Sequence, residues 1–181
     1  VRRALAAEPA FIHSLLLSGN RSIEIGDVAA AARRFRRARA TDANFPEAEL
    51  NLGMISLLDG DYTAGWLGFA ARWRCASHHG FKPTPGARIW DGRVDRSARL
   101  LIRAEPEQAL GDTIQFARFV AAAAARVGEL MIECAPTLRE LIGKIPGIAR
   151  LIDVGDAPPP AQWSCGLMDL GGIFAPTLSS L

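Results

Sequence analysis

The most reactive-looking stretch of the 181-residue chain is Ala104-Glu-Pro-Glu-Gln-Ala-Leu-Gly-Asp-Thr-Ile-Gln-Phe-Ala-Arg118. It follows an apolar run, Arg99-Leu-Leu-Ile-Arg103, and opens a helical pattern, so it reads as a strand-to-helix turn. Gly111 suits a tight turn, and Asp112 or Thr113 suits the helix cap, with a side-chain oxygen on the free amides. A helix start offers unpaired amides and a partial positive end, which favour a phosphate or a developing negative charge. The carboxyl end of a parallel strand is also where open α/β sheets bind ligands. The turn lacks both Gly-x-Gly-x-x-Gly and Gly-Lys-Ser/Thr, which disfavours a dinucleotide site and a P-loop. Taken alone, Asp112 reads as a plain cap.

Other reactive side chains form no constellation. Cys75, Cys134 and Cys165 are odd in number, far apart and without Cys-x-x-Cys, so they read as packed thiols of a reducing cytoplasm. His78-His79 lacks a Cys, Asp or Glu at ligand spacing and reads as a loop pair, and no metal is expected. His13 carries no assigned chemistry. With 21 basic and 19 acidic residues the net charge is +2, which by itself points to neither nucleic acid nor an anionic membrane. The run Arg33, Arg34, Arg36, Arg37, Arg39 could be a phosphate or nucleic-acid patch. Its spacing around Ala31, Phe35 and Ala38 favours a solvated outer face, and no aromatic residues interleave it to stack bases. Hydrophobic residues at 49% and charged residues at 22% fit a globular chain. Arg118, Arg126 and Glu129 interrupt the most apolar region, so no membrane span is expected. Glu8 and Pro9 argue against a signal peptide after Arg2-Arg3, and a start at Val1 reads as processed or cut.

The elements that position the turn fall into two regimes. Over residues 1–75 there is a period of 34: Gly19 and Gly53, Gly26-Asp27 and Gly60-Asp61, Ala31 and Gly65, Phe35 and Phe69. Each match has a physical sense in a helix pair. Small residues allow close approach, Gly-Asp turns the chain, and Phe fills the space between helices. Helices are predicted over 10–23, 28–40, 46–58 and 62–75, with complete repeats at about 12–45 and 46–75. Residues 1–9 read as the tail of an earlier repeat, so the chain is expected to be a fragment of a longer one. Residues 76–98, with Pro83, Pro85 and Gly86, read as a linker in which Trp90 packs its indole on a neighbouring surface beside an Asp91-Gly92 turn. From residue 99 the pattern changes to apolar runs at 99–103, 129–134, 149–154 and, more weakly, 163–168. Helices are predicted over 113–127 and 137–144, an alternation that argues a parallel α/β arrangement. Pro158-Pro159-Pro160 must lie outside any sheet interior.

The order of these features resembles bacterial tetratricopeptide-repeat proteins that carry a heptosyltransferase-like glycosyltransferase domain. The same broad architecture is found in O-linked N-acetylglucosamine transferases. The residues that carry the likeness are Gly65-Trp66, Phe69 and Arg72-Trp73, the Pro-rich link, Trp90-Asp91-Gly92, and Gln108-Ala-Leu-Gly-Asp-Thr-Ile-Gln-Phe-Ala-Arg118. The resemblance implies a tetratricopeptide solenoid followed by the N-terminal Rossmann-like half of a GT-B glycosyltransferase, here residues 99–181. It implies Asp112 as the general base on an acceptor hydroxyl, with Gln108, Gly111, Thr113 and Gln115 at or near the cleft and Arg118 as a structural partner or phosphate ligand. No cofactor is implied beyond a nucleotide-sugar donor, held mainly by a second half beyond Leu181. The fragment alone is therefore expected to be inactive. Implied partners are a protein or peptide in the repeat groove and a glycan, lipid or protein acceptor. The chain departs from the family's Gln-Gly-Leu-Gly-Asp at Ala109, which would cost about 1 kcal/mol if it needed a positive φ. A non-catalytic tetratricopeptide interaction scaffold and an unrelated nucleotide-binding α/β domain are the alternatives.

Overall fold

A computed structural model of the chain describes residues 9–76, 84–104, 110–175, 177 and 179. The chain divides into two compact units, Val1–His79 and Gly80–Leu181. The first is helical: α1 (Pro9–Glu24), α2 (Val28–Thr41), α3 (Pro46–Leu58), α4 (Tyr62–Phe69) and a 3-10 turn, Ala70–Arg74. The 34-residue period is a repetition of physical devices. Gly26 and Gly60 both take the left-handed conformation, at φ 79° and 84°, so each helix pair turns without a Cβ clash. The following aspartates cap the next helix, Asp27 accepting from the Ala30 amide at 2.8 Å and Asp61 from the Ala64 amide at 3.1 Å. Pro46 opens α3, where its missing N–H costs nothing.

The two helix pairs nevertheless close differently. A Cβ on Gly19 would stand 2.3 Å from the Phe35 ring, and Phe35 is fully buried with Ala31, Ala32 and Ile55. A Cβ on Gly53 would stand 2.6 Å from the backbone of Gly68 and Phe69. There α3 and α4 meet backbone to backbone, which leaves no space for a ring. Phe69, expected to fill that space, is instead half-buried, edge-on to Trp66 at 5.7 Å and beneath the Arg72 guanidinium at 4.5 Å. The helix expected over 62–75 likewise changes to the 3-10 turn after Phe69.

The second unit is a five-stranded, wholly parallel sheet in the order β1-β5-β2-β3-β4, with β1 Arg88–Ile89, β2 Asp95–Arg103, β3 Val127–Cys134, β4 Ile148–Asp153 and β5 Trp163–Gly166. Four expected strands are present. The stretch 76–98, expected to be a linker, also contributes β1 and the first residues of β2. Trp90 lies inside the core at 2% exposure, its indole N–H donating to the Arg93 carbonyl at 3.0 Å. The indole packs on a neighbour as expected, tilted against Phe174 at 6.2 Å. One face of the sheet (Leu100, Ile102, Leu130, Ile132, Cys134) packs on helices α5 (Leu110–Ala117), α6 (Val120–Ala124) and α8 (Asp169–Phe174) through Ala117, Val120, Ala123 and Leu170. The other face is thinner, with Leu101, Met131 and Ile152 against Ala161 just after the three prolines. Between β3 and β4, the short α7 (Arg139–Ile142) follows a 3-10 turn, Pro136–Leu138.

The helix expected over 113–127 is two helices. Phe119 bonds back only three residues, to Phe116 at 3.1 Å, and this turn sets its ring parallel to Phe174 at 6.0 Å. Among the described residues no helix is long and apolar enough to cross a membrane.

Candidate functional site

The candidate site is the carboxyl edge of the two central strands. β2 and β3 run in register from Arg99↔Glu129 to Arg103↔Glu133 and end together. Each ladder of β2 continues one residue further: the Ala104 amide donates to the Glu133 carbonyl at 2.8 Å, toward β3, and the Leu167 amide, just after β5, donates to the Arg103 carbonyl at 2.9 Å. In an open parallel sheet a crevice forms above the carboxyl ends where the strand order reverses, which here is beside β2: the chain runs outward through β3 and β4 and returns to β5 on the other side of β2. Here α5 follows β2, α7 follows β3 and α8 follows β5.

The side chains at this edge are mostly charged and tied down. The Arg103 guanidinium donates twice to Glu133, Nε to Oε2 at 2.9 Å and Nη2 to Oε1 at 3.2 Å. Arg139, the first residue of α7, pairs with Asp153 at the end of β4 at 2.6 Å. Asp169 opens α8 and accepts from the Gly166 amide at 2.8 Å, closing the turn after β5. Among the described residues no group of three His, Cys, Asp or Glu side chains is placed to hold a metal ion.

α5 sorts the expected site residues by face. Thr113 and Ala117, four apart, point inward, with Thr113 only 3% exposed, while Gly111, Asp112 and Gln115 are exposed. Asp112 therefore presents a solvated carboxylate in the first turn, where the helix end favours negative charge. Neither it nor Thr113 is the cap, because the helix already begins at Leu110: Asp112 is its third residue and Thr113 its fourth. Gly111 is not needed for a tight turn either. It lies within the helix without a positive φ, and a Cβ there would meet open space. Thr113, expected at the cleft, is a core-facing residue. Arg118 lays its guanidinium over the Phe119 ring at 4.7 Å, a structural contact at the break between α5 and α6. Gln108 and Ala109 lie outside the described residues, as do His78 and His79.

Sequence reasoning missed the Arg103–Glu133 pair. Arg103 reads as the end of one apolar run and Glu133 as the penultimate residue of another, and only strand register shows that they face one another. The signal was nevertheless present: two runs of the same form, one ending in Arg and the other carrying Glu at its penultimate residue, belong to adjacent parallel strands.

No protein-family model matches the sequence, and no curated protein matches it. Among solved structures the chain is similar to a mutant O-GlcNAc transferase from Thermobaculum terrenum, at 19% identity and a TM-score of 0.33. The likeness covers 84% of this chain, which spans only 36% of that one's length.

Proposed function

We propose that this chain is the repeat and acceptor-side portion of a glycosyltransferase of the tetratricopeptide, heptosyltransferase-like kind. The observation that carries the reading is the placement of Asp112, an exposed carboxylate in the first turn of the helix that follows β2, a central strand of a wholly parallel sheet. In that role Asp112 accepts the proton of an acceptor hydroxyl while the hydroxyl oxygen bonds to the anomeric carbon of a nucleotide sugar. The anomeric C–O bond to phosphate breaks, and the nucleoside diphosphate departs with the bonding pair. Gly111 and Gln115, exposed beside Asp112, would face the acceptor, and Gln108 would lie on the approach from β2. The donor belongs to a second α/β half outside these 181 residues. The helix pairs, read as tetratricopeptide repeats over 1–75, recruit the acceptor or a partner protein.

The test is Asp112→Asn in the natural full-length protein, following release of nucleoside diphosphate from a panel of UDP-, GDP- and ADP-sugars. Amide for carboxylate removes the base and keeps the shape, so release is expected to fall by about 100-fold or more with an unchanged melting temperature. Undiminished transfer sinks the assignment of the base. A full-length protein that releases nothing from any donor favours the alternative, a non-catalytic repeat scaffold. That alternative has its own support in Met54 and Leu58, one turn apart on α3 and both exposed.

A further inference from the structure

α2 carries five arginines, Arg33, Arg34, Arg36, Arg37 and Arg39, and no acidic residue. Among the described residues none of the five forms an ion pair. Two are held by neutral partners instead. The Arg34 guanidinium donates to the Ser22 hydroxyl, which itself donates to the Ser18 carbonyl at 3.1 Å. Arg37 lies over the Phe11 ring at 5.0 Å. Contacts of this kind fix where a charge sits without cancelling it. Arg33, Arg36 and Arg39 remain exposed.

Two cavities open on this face and share Arg33. One, of about 240 Å³, is walled by Leu15, Ala30, Arg33, Arg34 and Arg37, with no carboxylate. The other, of about 420 Å³, includes Val28, Ala32, Arg36 and Ile55 with one acid, Asp59. Each thus combines an aliphatic wall with guanidinium groups. On a helix, side chains three and four apart stand about 5–6 Å from one another, and alternate side chains of an extended peptide recur about every 7 Å. Arg33 and Arg36 or Arg37 therefore match successive same-side carboxylates of such a peptide.

We propose that the α2 face is a docking surface for an acidic peptide segment of a partner protein. The side chains on its inward side are carboxylates that pair with Arg33, Arg36 and Arg37 and, flanking them, aliphatic groups that enter the two cavities, while the intervening side chains point to solvent. Nucleic acid fits less well: Phe11 lies beneath Arg37 and Phe35 is buried, so no free aromatic ring is offered to a base, and the aliphatic walls offer nothing to a phosphodiester. This surface is independent of Asp112 and of the transferase reading.

The test titrates the 181-residue chain into a fluorescein-labelled peptide of about a dozen Glu, Asp and Leu residues, read by anisotropy at roughly 50 and 300 mM salt. A Lys/Leu peptide and a single-stranded DNA of equal length are run beside it. Saturable binding of the acidic peptide is expected, weakened by salt and weakened roughly tenfold in R33Q/R36Q, a variant that leaves the Arg34 and Arg37 contacts in place. Should that variant lose its helical circular dichroism, R36Q alone reads the same contact with a loss of about threefold. No saturable binding, equal binding by the arginine variant, or tighter binding of the DNA than of the peptide would each overturn the proposal.

Discussion

Arg103 and Glu133 face each other in register at the ends of β2 and β3, joined by two hydrogen bonds, with side-chain exposures of 22% and 6%. A carboxylate that buried is stable only because a fixed guanidinium meets both of its oxygens. The pair lies on the thinner face of the sheet, where Leu101 and Met131 alone would leave the strand ends poorly covered. Removing one partner strands the other. Arg103→Met is expected to cost about 3 kcal/mol in urea unfolding, and R103M/E133L to recover most of that, because the double change replaces buried charge with apolar volume. Additive losses in the double variant would contradict a coupled pair.

The equivalent glycines of the two helix pairs are expected to respond through packing, and the turn glycines through backbone conformation. Gly53→Ala sets a methyl group against the α4 backbone, which has no side chain to swing aside, and should cost about 2–3 kcal/mol. Gly60→Ala meets no neighbour but must hold φ near 84°, which should cost about 1 kcal/mol. Thermal melts of the two variants decide the order, and a larger loss at Gly60 would refute the backbone-to-backbone account.

Gly111 offers a way to separate stability from function at the candidate site. It sits in the first turn of α5 in open space, so Gly111→Ala should raise stability by about 0.5–1 kcal/mol in thermal melts. If transfer by the full-length protein falls in this more stable variant, the missing side chain serves close approach of a ligand. Unchanged transfer would remove Gly111 from the site.

The three cysteines are all buried and none is in a disulfide, and burial raises the Cys75 thiol from 9.0 to about 11, with Glu47 adding to the shift. Cys134 is pushed the same way, again mainly by burial. A thiol whose folded pKa is raised contributes stability in full below its unfolded pKa, and that contribution is lost as pH rises through the folded value. The urea midpoint should therefore fall between about pH 9 and 11 in the wild type and less steeply in Cys75→Ala. At pH 8, a disulfide reagent should label the native chain slowly and the unfolded chain at once. Rapid native labelling of Cys75 would show that its thiol is open to solvent.

What the sequence determined by itself was local. Gly26-Asp27 and Gly60-Asp61 mark turn and cap whatever surrounds them, because a positive φ and an unpaired helix amide are properties of a few neighbouring residues. The apolar runs ending near Arg103 and Cys134 likewise announce strands buried on both faces, and the run ending at Asp153 announces the edge strand β4. Everything that depends on a distant partner was settled only by tertiary structure. β1 is two exposed residues that become a strand solely because β5 offers it a ladder. Trp90 enters the core because Arg93 supplies a carbonyl for its indole. The predicted single helix breaks at Phe119, whose ring stacks on Phe174. At the candidate site, the motif put Asp112 between β2 and the following helix, and the structure makes it an exposed first-turn carboxylate of α5 and not the cap, with Thr113 turned inward. Periodicity fixes which face a residue takes within the helix, and Ala117, four residues after Thr113, packs on the same inward face against the sheet.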